Sequence, residues 1–390
     1  MNVKNDFPFL VKNHSLVYFD SACTSLKPQS VIDAEIDYYQ NYAACGSRSG
    51  HKFGRLTSEK IQQSREKIAK FVNAHADEVI FTRNTTESLN LVINSFDFSK
   101  RRKVVTTIME HHSVLLPLFR KRDEGAIQLE VLPAKNGIVS LEQWKNAIDK
   151  NTALVVTNNA SNTTGYQQNT REIAKICQDN GALICVDGAQ GVPHFTTDFS
   201  HDAIDFLCFS GHKMLGPTGI GCLVANRSAQ EKLKPFLLGG GTVKTVSLDN
   251  VVPLANYERF EAGIQHYAGI FGLATACEYL KKIGMKNVEE HQNKFGSELR
   301  KAVENSEAHI YGANGGIISF NFKNAAPHEV ALMLDKQNIA VRSGFFCAQP
   351  AMENLGATQG AVRASCYVYN SLEEVKKFSE ALQKLSALYA

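Results

Sequence analysis

From about residue 58 to 280 the chain alternates short apolar, β-branched runs with amphipathic stretches, a pattern that predicts a mostly parallel sheet covered by helices. The runs at 79–82, 103–108, 129–132, 153–157, 182–186, 205–209 and 221–225 predict seven strands. Between them, 58–72 places Ile61, Ile68, Phe71 and Val72 near one helical face, and 169–177 does the same with Ile173, Ile176 and Cys177, with Gly181 as the stop. Beyond about residue 285 the order changes. A polar helix, strand 316–322, helix 328–336, strands 339–342 and 363–369 and a final amphipathic helix 371–388 read as a smaller α+β unit. The division expected is a large domain over 15–260 and a small one from 1–14 and 261–390, bridged by a helix near 263–284. Residues 237–256, with Gly239, Gly240 and Gly241 together, read as loop.

Composition leaves this picture in place. At 390 residues two domains are the default, and 44% apolar with 21% charged residues is ordinary for a globular enzyme. A formal charge of +3 without long runs of one sign gives no support to nucleic-acid or membrane binding. The apolar stretch 7–11 is too short for a signal-peptide core, so a soluble, cytoplasmic protein is expected. Nine cysteines, an odd number without a CxxC pair, indicate neither a disulfide framework nor a zinc site, and no metal is expected.

The stretch with most chemistry is CVDGAQGV, carrying Asp187 and Gln190, followed by FSGHKMLGPTGIG, carrying Ser210, His212 and Lys213. An acid at the carboxyl end of one strand and an amine just past the next share the crevice where open α/β sheets bind ligands. Singly, an Asp-Gly is a turn and such a lysine is solvated; together they suit pyridoxal phosphate (PLP). Lysine forms a Schiff base with its aldehyde, and a carboxylate keeps the pyridine nitrogen protonated so that the ring accepts electrons. The phosphate calls for hydroxyls and a helix N-terminus, which FTRNTTESLNLV offers through Thr85 and Thr86. Taken alone, Thr85 reads equally well as an ordinary helix N-cap.

Ten segments carry a resemblance in the same order: YFDSACTSLKPQSVIDA, FTRNTTESLNLV, MEHHSVLLP, SNTTG, CVDGAQGV, FSGHKMLGPTGIG, GGGTVKTVS, RFEAG, VRSGFFCAQP and VRASCYVYN. From about residue 16 to 380 the chain resembles the class V aminotransferase-fold enzymes, and within them the group II cysteine desulfurases of the SufS type. The resemblance implies the type I fold of PLP-dependent transferases, a seven-stranded mostly parallel sheet plus a smaller α+β domain. It implies that Lys213 holds the cofactor, Asp187 pairs with its ring nitrogen, Gln190 and Asn162 lie at its ring hydroxyl, and His111 stacks on its face. Thr85, Thr86, Ser210 and His212 would hold the phosphate. Arg363 would grip the substrate carboxylate, with Arg48 at the rim and Asn162 near the substrate. Cys347 would take sulfur from L-cysteine as a persulfide, releasing L-alanine, and pass it to an acceptor protein or thiol reductant for iron–sulfur cluster or other sulfur-cofactor synthesis. A homodimer is implied as well.

Four positions depart from the family pattern. Phe345 and Phe346 replace the common His-His before the nucleophile, which disfavours a thiolate by desolvation. Ile264 stands where a Thr reaches the partner's phosphate, and Asn84 replaces a Gly, where Asn tolerates the same unusual backbone angles. Two rivals stand beside this reading. Another PLP enzyme of the same fold (a selenocysteine lyase, cyst(e)ine C–S lyase or aminotransferase) would keep Lys213, Asp187 and Arg363 without needing Cys347; a non-catalytic relative would need none of them.

Overall fold

A computed structural model of the chain describes residues 3–47, 49–313 and 315–389. The strands, in chain order, are β1 (Val17–Tyr18), β2 (Val79–Thr82), β3 (Lys103–Thr107), β4 (Gln128–Leu132), β5 (Thr152–Asn158), β6 (Leu183–Asp187), β7 (Phe206–Ser210), β8 (Gly221–Ala225), β9 (Val243–Val246), β10 (Val251–Pro253), β11 (His309–Tyr311), β12 (Ile317–Asn321), β13 (Ile339–Ala340), β14 (Arg342–Gly344) and β15 (Ala361–Ser365). The seven apolar runs become one sheet in the order β2-β8-β7-β6-β5-β3-β4. Its pairs are parallel from β7 through β4, while β8 runs antiparallel to both β7 and β2. All residues of β5, β7 and β8 are buried, as expected of strands with helices on both faces.

Helix Lys52–Phe71 begins a full turn and a half earlier than its apolar periodicity marks, because His51 caps it by accepting from the Gly54 N–H at 3.2 Å. Helix Thr170–Asn180 ends on Gly181, whose φ of 67° is the left-handed conformation of a C-terminal stop. Helix Tyr267–Ile283 packs along Gln29–Asn41 and Lys52–Phe71, and its inner residues join the apolar core on one face of the large sheet.

The second sheet, β11-β12-β15-β14, is antiparallel and closes over a core of its own with helices Met285–Glu304 and Leu372–Tyr389. Val17 and Phe19 belong to that core, because β1 pairs with β13. Three expectations change here. The run 339–342 splits into β13 and β14, which belong to different sheets. The strand expected over 363–369 is β15, two residues earlier, and 366–370 is a buried turn in which Asn370 Oδ1 accepts from the Tyr367 N–H at 2.7 Å. Residues 237–256, read as loop, contain the exposed hairpin β9–β10. Among the described residues no helix is long and apolar enough to cross a membrane.

Candidate active site

Asp187 is the last residue of β6, and Lys213 closes the 3₁₀ turn Gly211–Lys213 that follows β7. Parallel pairing of β6 with β7 puts both at the carboxyl edge of the sheet. The Asp187 carboxylate is buried and accepts from the Ala189 N–H at 3.0 Å. Burial pushes its pKa up while Lys213 pulls it down. Lys213 shows the mirror image: burial lowers its pKa against the pull of Asp187. Each feels the other's charge without an ion-pair contact, and both line a cavity of about 350 Å³, within the range of roughly 300–1,000 Å³ usual for small-molecule sites.

One wall is the start of helix Thr85–Ser95. The backbone N–H of Thr85 donates to Ser210 Oγ at 2.8 Å and the two hydroxyls meet at 2.6 Å, while Thr86 Oγ1 lies 2.7 Å from Ser113 Oγ. The cap is Asn84, which accepts from the Glu87 N–H at 3.0 Å; Thr85 is the first helical residue. Asn84 is fully extended (φ −176°), so the position makes no demand for unusual backbone angles. Ser210 ends β7, so one serine ties the helix N-terminus to the lysine-bearing turn.

His111 precedes helix His112–Asp123 and its Nδ1 accepts the Ser113 N–H at 3.1 Å, leaving Nε2 to carry the ring proton. Burial, helped by Lys213, lowers its pKa to about 3, so the imidazole is neutral near pH 7. His212 is lowered to about 4, again by burial and then by Lys213.

The opposite wall comes from the second sheet. Arg363, on β15, is almost fully buried: it donates to the Asn162 carbonyl at 2.9 Å, pairs with Asp20 at 3.5 Å and lies over the Phe346 ring at 4.7 Å. Cys347 sits exposed in the turn after β14, where Gly344, Phe346 and Cys347 all have positive φ (116°, 55° and 55°). Two bonds pin this turn to the segments that follow β5 and β3: Asn162 Nδ2 donates to the Phe346 carbonyl at 2.9 Å and the His112 N–H to the Cys347 carbonyl at 2.7 Å.

Eleven of the residues singled out from the sequence line this one cavity: Lys213, Asp187, Gln190, His111, Thr85, Thr86, Ser210, His212, Asn162, Arg363 and Cys347. Arg48 lies outside the described residues. Three buried polar atoms of lining residues have no partner: Gln190 Oε1, an acceptor, Arg363 Nε, a donor, and Asn158 Oδ1, a second acceptor. A ligand that offers a hydroxyl to the first and an anionic oxygen to the second completes those two. Sequence reasoning missed Ser113, which links His111 to Thr86, and Cys23, whose Sγ accepts from Arg342 at 2.9 Å. Both lie inside quoted segments, MEHHSVLLP and YFDSACTS, and only their partners in space mark them.

Comparison with known proteins agrees with this geometry. The profile of the family "Aminotransferase class-V" matches residues 17–378. A probable cysteine desulfurase of Methanothermobacter thermautotrophicus is 38% identical, covering 99% of this chain and 98% of that protein. The apo structure of a cysteine desulfurase from Thermococcus onnurineus superposes with a TM-score of 0.95 at 38% identity, over 99% of this chain and 97% of the other. Cysteine desulfurase CsdA of Escherichia coli does so with a TM-score of 0.91 at 28% identity, over 99% and 98%. The family match over residues 17–378 and the likeness to these cysteine desulfurases along nearly their whole length identify the chain as a member of the class-V aminotransferase family, among its cysteine desulfurases.

Proposed function

We propose that this protein converts L-cysteine to L-alanine with PLP held on Lys213, and that Cys347 receives the sulfur. The observation that carries the reading is the meeting of the Lys213–Asp187 pair, the buried Arg363 and the open thiol of Cys347 around one cavity. The residues present fit the cofactor. Asp187 would be the counterion for a pyridinium nitrogen, Gln190 Oε1 awaits a hydroxyl, and Asn162 lines the same cavity. Thr85, Thr86, Ser210 and His212 surround a helix N-terminus suited to a phosphate, and His111 presents a neutral ring to the cavity. Bound there, PLP supplies the electron sink that labilises bonds at the Cα and Cβ of an amino acid.

The protein's own groups do the rest. Arg363, with Nε free, binds the substrate carboxylate in a bidentate fork. Lys213 Nζ, whose lowered pKa favours the free amine, takes the Cα proton and later returns it. The Cys347 thiolate attacks the substrate sulfur: an S–S bond forms, the Cβ–S bond breaks and its electron pair stays with carbon, which is protonated to alanine. The persulfide then passes to a thiol reductant or acceptor protein, for iron–sulfur clusters or other sulfur-containing cofactors. Nine free thiols suit a reducing, cytoplasmic setting. A second copy of the chain covers the apolar residues Val246, Leu248, Val251 and Ile264, which stand exposed on and near the β9–β10 hairpin.

Mass spectrometry after L-cysteine treatment tests the reading. One added sulfur on the Cys347 peptide is expected, and Cys347→Ser should lose both that sulfur and alanine production. Alanine production that survives in Cys347→Ser points to a PLP lyase without a persulfide. Lys213→Ala should also lose the visible absorption that borohydride removes.

A further inference from the structure

Cys347 is not the only thiol on the cavity. Cys23 lines it too, partly exposed, whereas Cys177, Cys185, Cys208, Cys222, Cys277 and Cys366 are buried away from it. Its position is held tightly. The Cys23 N–H donates to the Asp20 carbonyl at 3.0 Å, the Ala22 N–H to Ser365 Oγ at 2.9 Å, and Gln190 Nε2 to the Ala22 carbonyl at 2.8 Å. The sulfur accepts from Arg342 at 2.9 Å, and Asp20 orients that guanidinium from 3.3 Å. A permanently charged donor seated on sulfur is a partner for an anionic sulfur species. Cys23 and Cys347 both lie close enough to Arg342 and to Lys213 to act on their charges. Beside them, the buried Arg363 keeps its Nε unpartnered, so this end of the cavity is built to receive an anion.

We infer that Cys23 is a second sulfur-carrying thiol, which takes the sulfane sulfur from the Cys347 persulfide and holds it under Arg342. The inference rests on the reading that Cys347 receives the sulfur first. In the transfer, Cys23 Sγ as thiolate attacks the outer sulfur of the persulfide. The S–S bond at Cys347 breaks, its electron pair returns to Cys347 Sγ, and an equivalent S–S bond forms at Cys23. Oxidation states balance and no further reactant is needed. The exposed thiol is restored for a second turnover while the first sulfur waits in a more sheltered place, beside a guanidinium that stabilises its negative charge.

The test uses the PLP-loaded enzyme, treated with L-cysteine, alkylated and digested so that the Cys23 and Cys347 peptides are weighed separately over time. Sulfur should appear first on Cys347 and then on Cys23. Cys347→Ser should leave Cys23 unmodified. Cys23→Ser should halve the sulfur stored per chain, keeping it on Cys347, and Arg342→Gln should slow the appearance on Cys23 about tenfold while Cys347 loads as before. Sulfur on Cys347 alone overturns the relay and leaves the proposed function standing; sulfur on neither thiol overturns both. Two outcomes remove the relay in other ways. Sulfur on Cys23 in Cys347→Ser makes Cys23 an independent nucleophile, and a Cys23–Cys347 disulfide means attack at the inner sulfur with loss of hydrosulfide.

Discussion

Phe346 and Cys347 both adopt left-handed backbone angles, a conformation that costs a bulky residue on the order of 1–3 kcal/mol and persists only where its surroundings impose it. Here the imposition is visible: Asn162 and His112 hold the two carbonyls, and the Phe346 ring is turned under Arg363. The apolar bulk that the sequence places before Cys347 therefore lies against a guanidinium, while Cys347 itself stays exposed. We expect Phe346→Leu to raise the KM for L-cysteine about 5–30-fold with a smaller change in kcat, since a desolvated cation–π contact is worth about 1–2 kcal/mol. Steady-state alanine formation measures both, and a fall in kcat at constant KM would contradict a positioning role. Glu110 makes a second case. It is fully buried beneath the cavity, and burial raises its pKa to about 7 against hydrogen bonds from Thr107, Asn158 and Thr157. Between its ordinary 4.5 and about 7 the native state holds a proton that the unfolded chain has released, so stability from this group is present at low pH and lost as pH rises through that window. Glu110→Gln should flatten the fall in Tm from pH 5 to pH 8, removing a dependence on the order of 3 kcal/mol. Buried neutral histidines have the opposite sign and cancel in the comparison of wild type with variant.

At the scale of elements, the helix that begins at Thr85 reaches the cavity because β8 starts with a glycine. A Cβ at Gly221 would stand 2.6 Å from the Phe209 carbonyl oxygen and 2.8 Å from Asn84 Cα, both backbone atoms that no rotamer can move. Gly221→Ala should displace the helix N-terminus from Ser210, weaken PLP affinity by tenfold or more and lower Tm. Unchanged PLP titration in the variant would show that the helix start does not hold the phosphate. The sheet that carries this arrangement was legible in the sequence because β2, β3, β5, β6, β7 and β8 are apolar runs bounded by polar segments, and burial on both faces requires such runs. The end of β15 was not legible: the run from Val362 to Tyr369 is uniformly strand-like, and what stops the strand is Asn370 capturing the Tyr367 N–H. Likewise β1 is two residues long, too short for any periodicity, and exists because it pairs with β13.

Over the whole molecule, the site legible from motifs was the half whose residues lie near one another along the chain or carry unusual types, such as Lys213 and Asp187. Cys23 escaped because its partner Arg342 is 319 positions away, and nothing local distinguishes its thiol from a small buried side chain. Surface chemistry bears on assembly. Leu248 is fully exposed, with Val246 and Val251 beside it and Ile264 nearby in the chain, an apolar surface that a single copy leaves in water. Sedimentation should show a dimer that Leu248→Glu combined with Val251→Glu converts to monomer; a monomeric wild type would remove the second copy from the proposal. The pairing of β1 with β13, and of Asp20 with both Arg342 and Arg363, also sets an order of events during synthesis. Every strand of the large sheet, and Lys213 with it, has been made once Ala225 is added, whereas the cavity wall that carries Cys347 and Arg363 is completed only near Arg363. At about 5–20 residues per second, translation from one to the other occupies on the order of 10 s. On the function proposed above, a nascent chain carries the lysine that would hold the cofactor before it owns the thiol and the arginine that would engage cysteine, so the order of the sequence defers the reaction until both have been made.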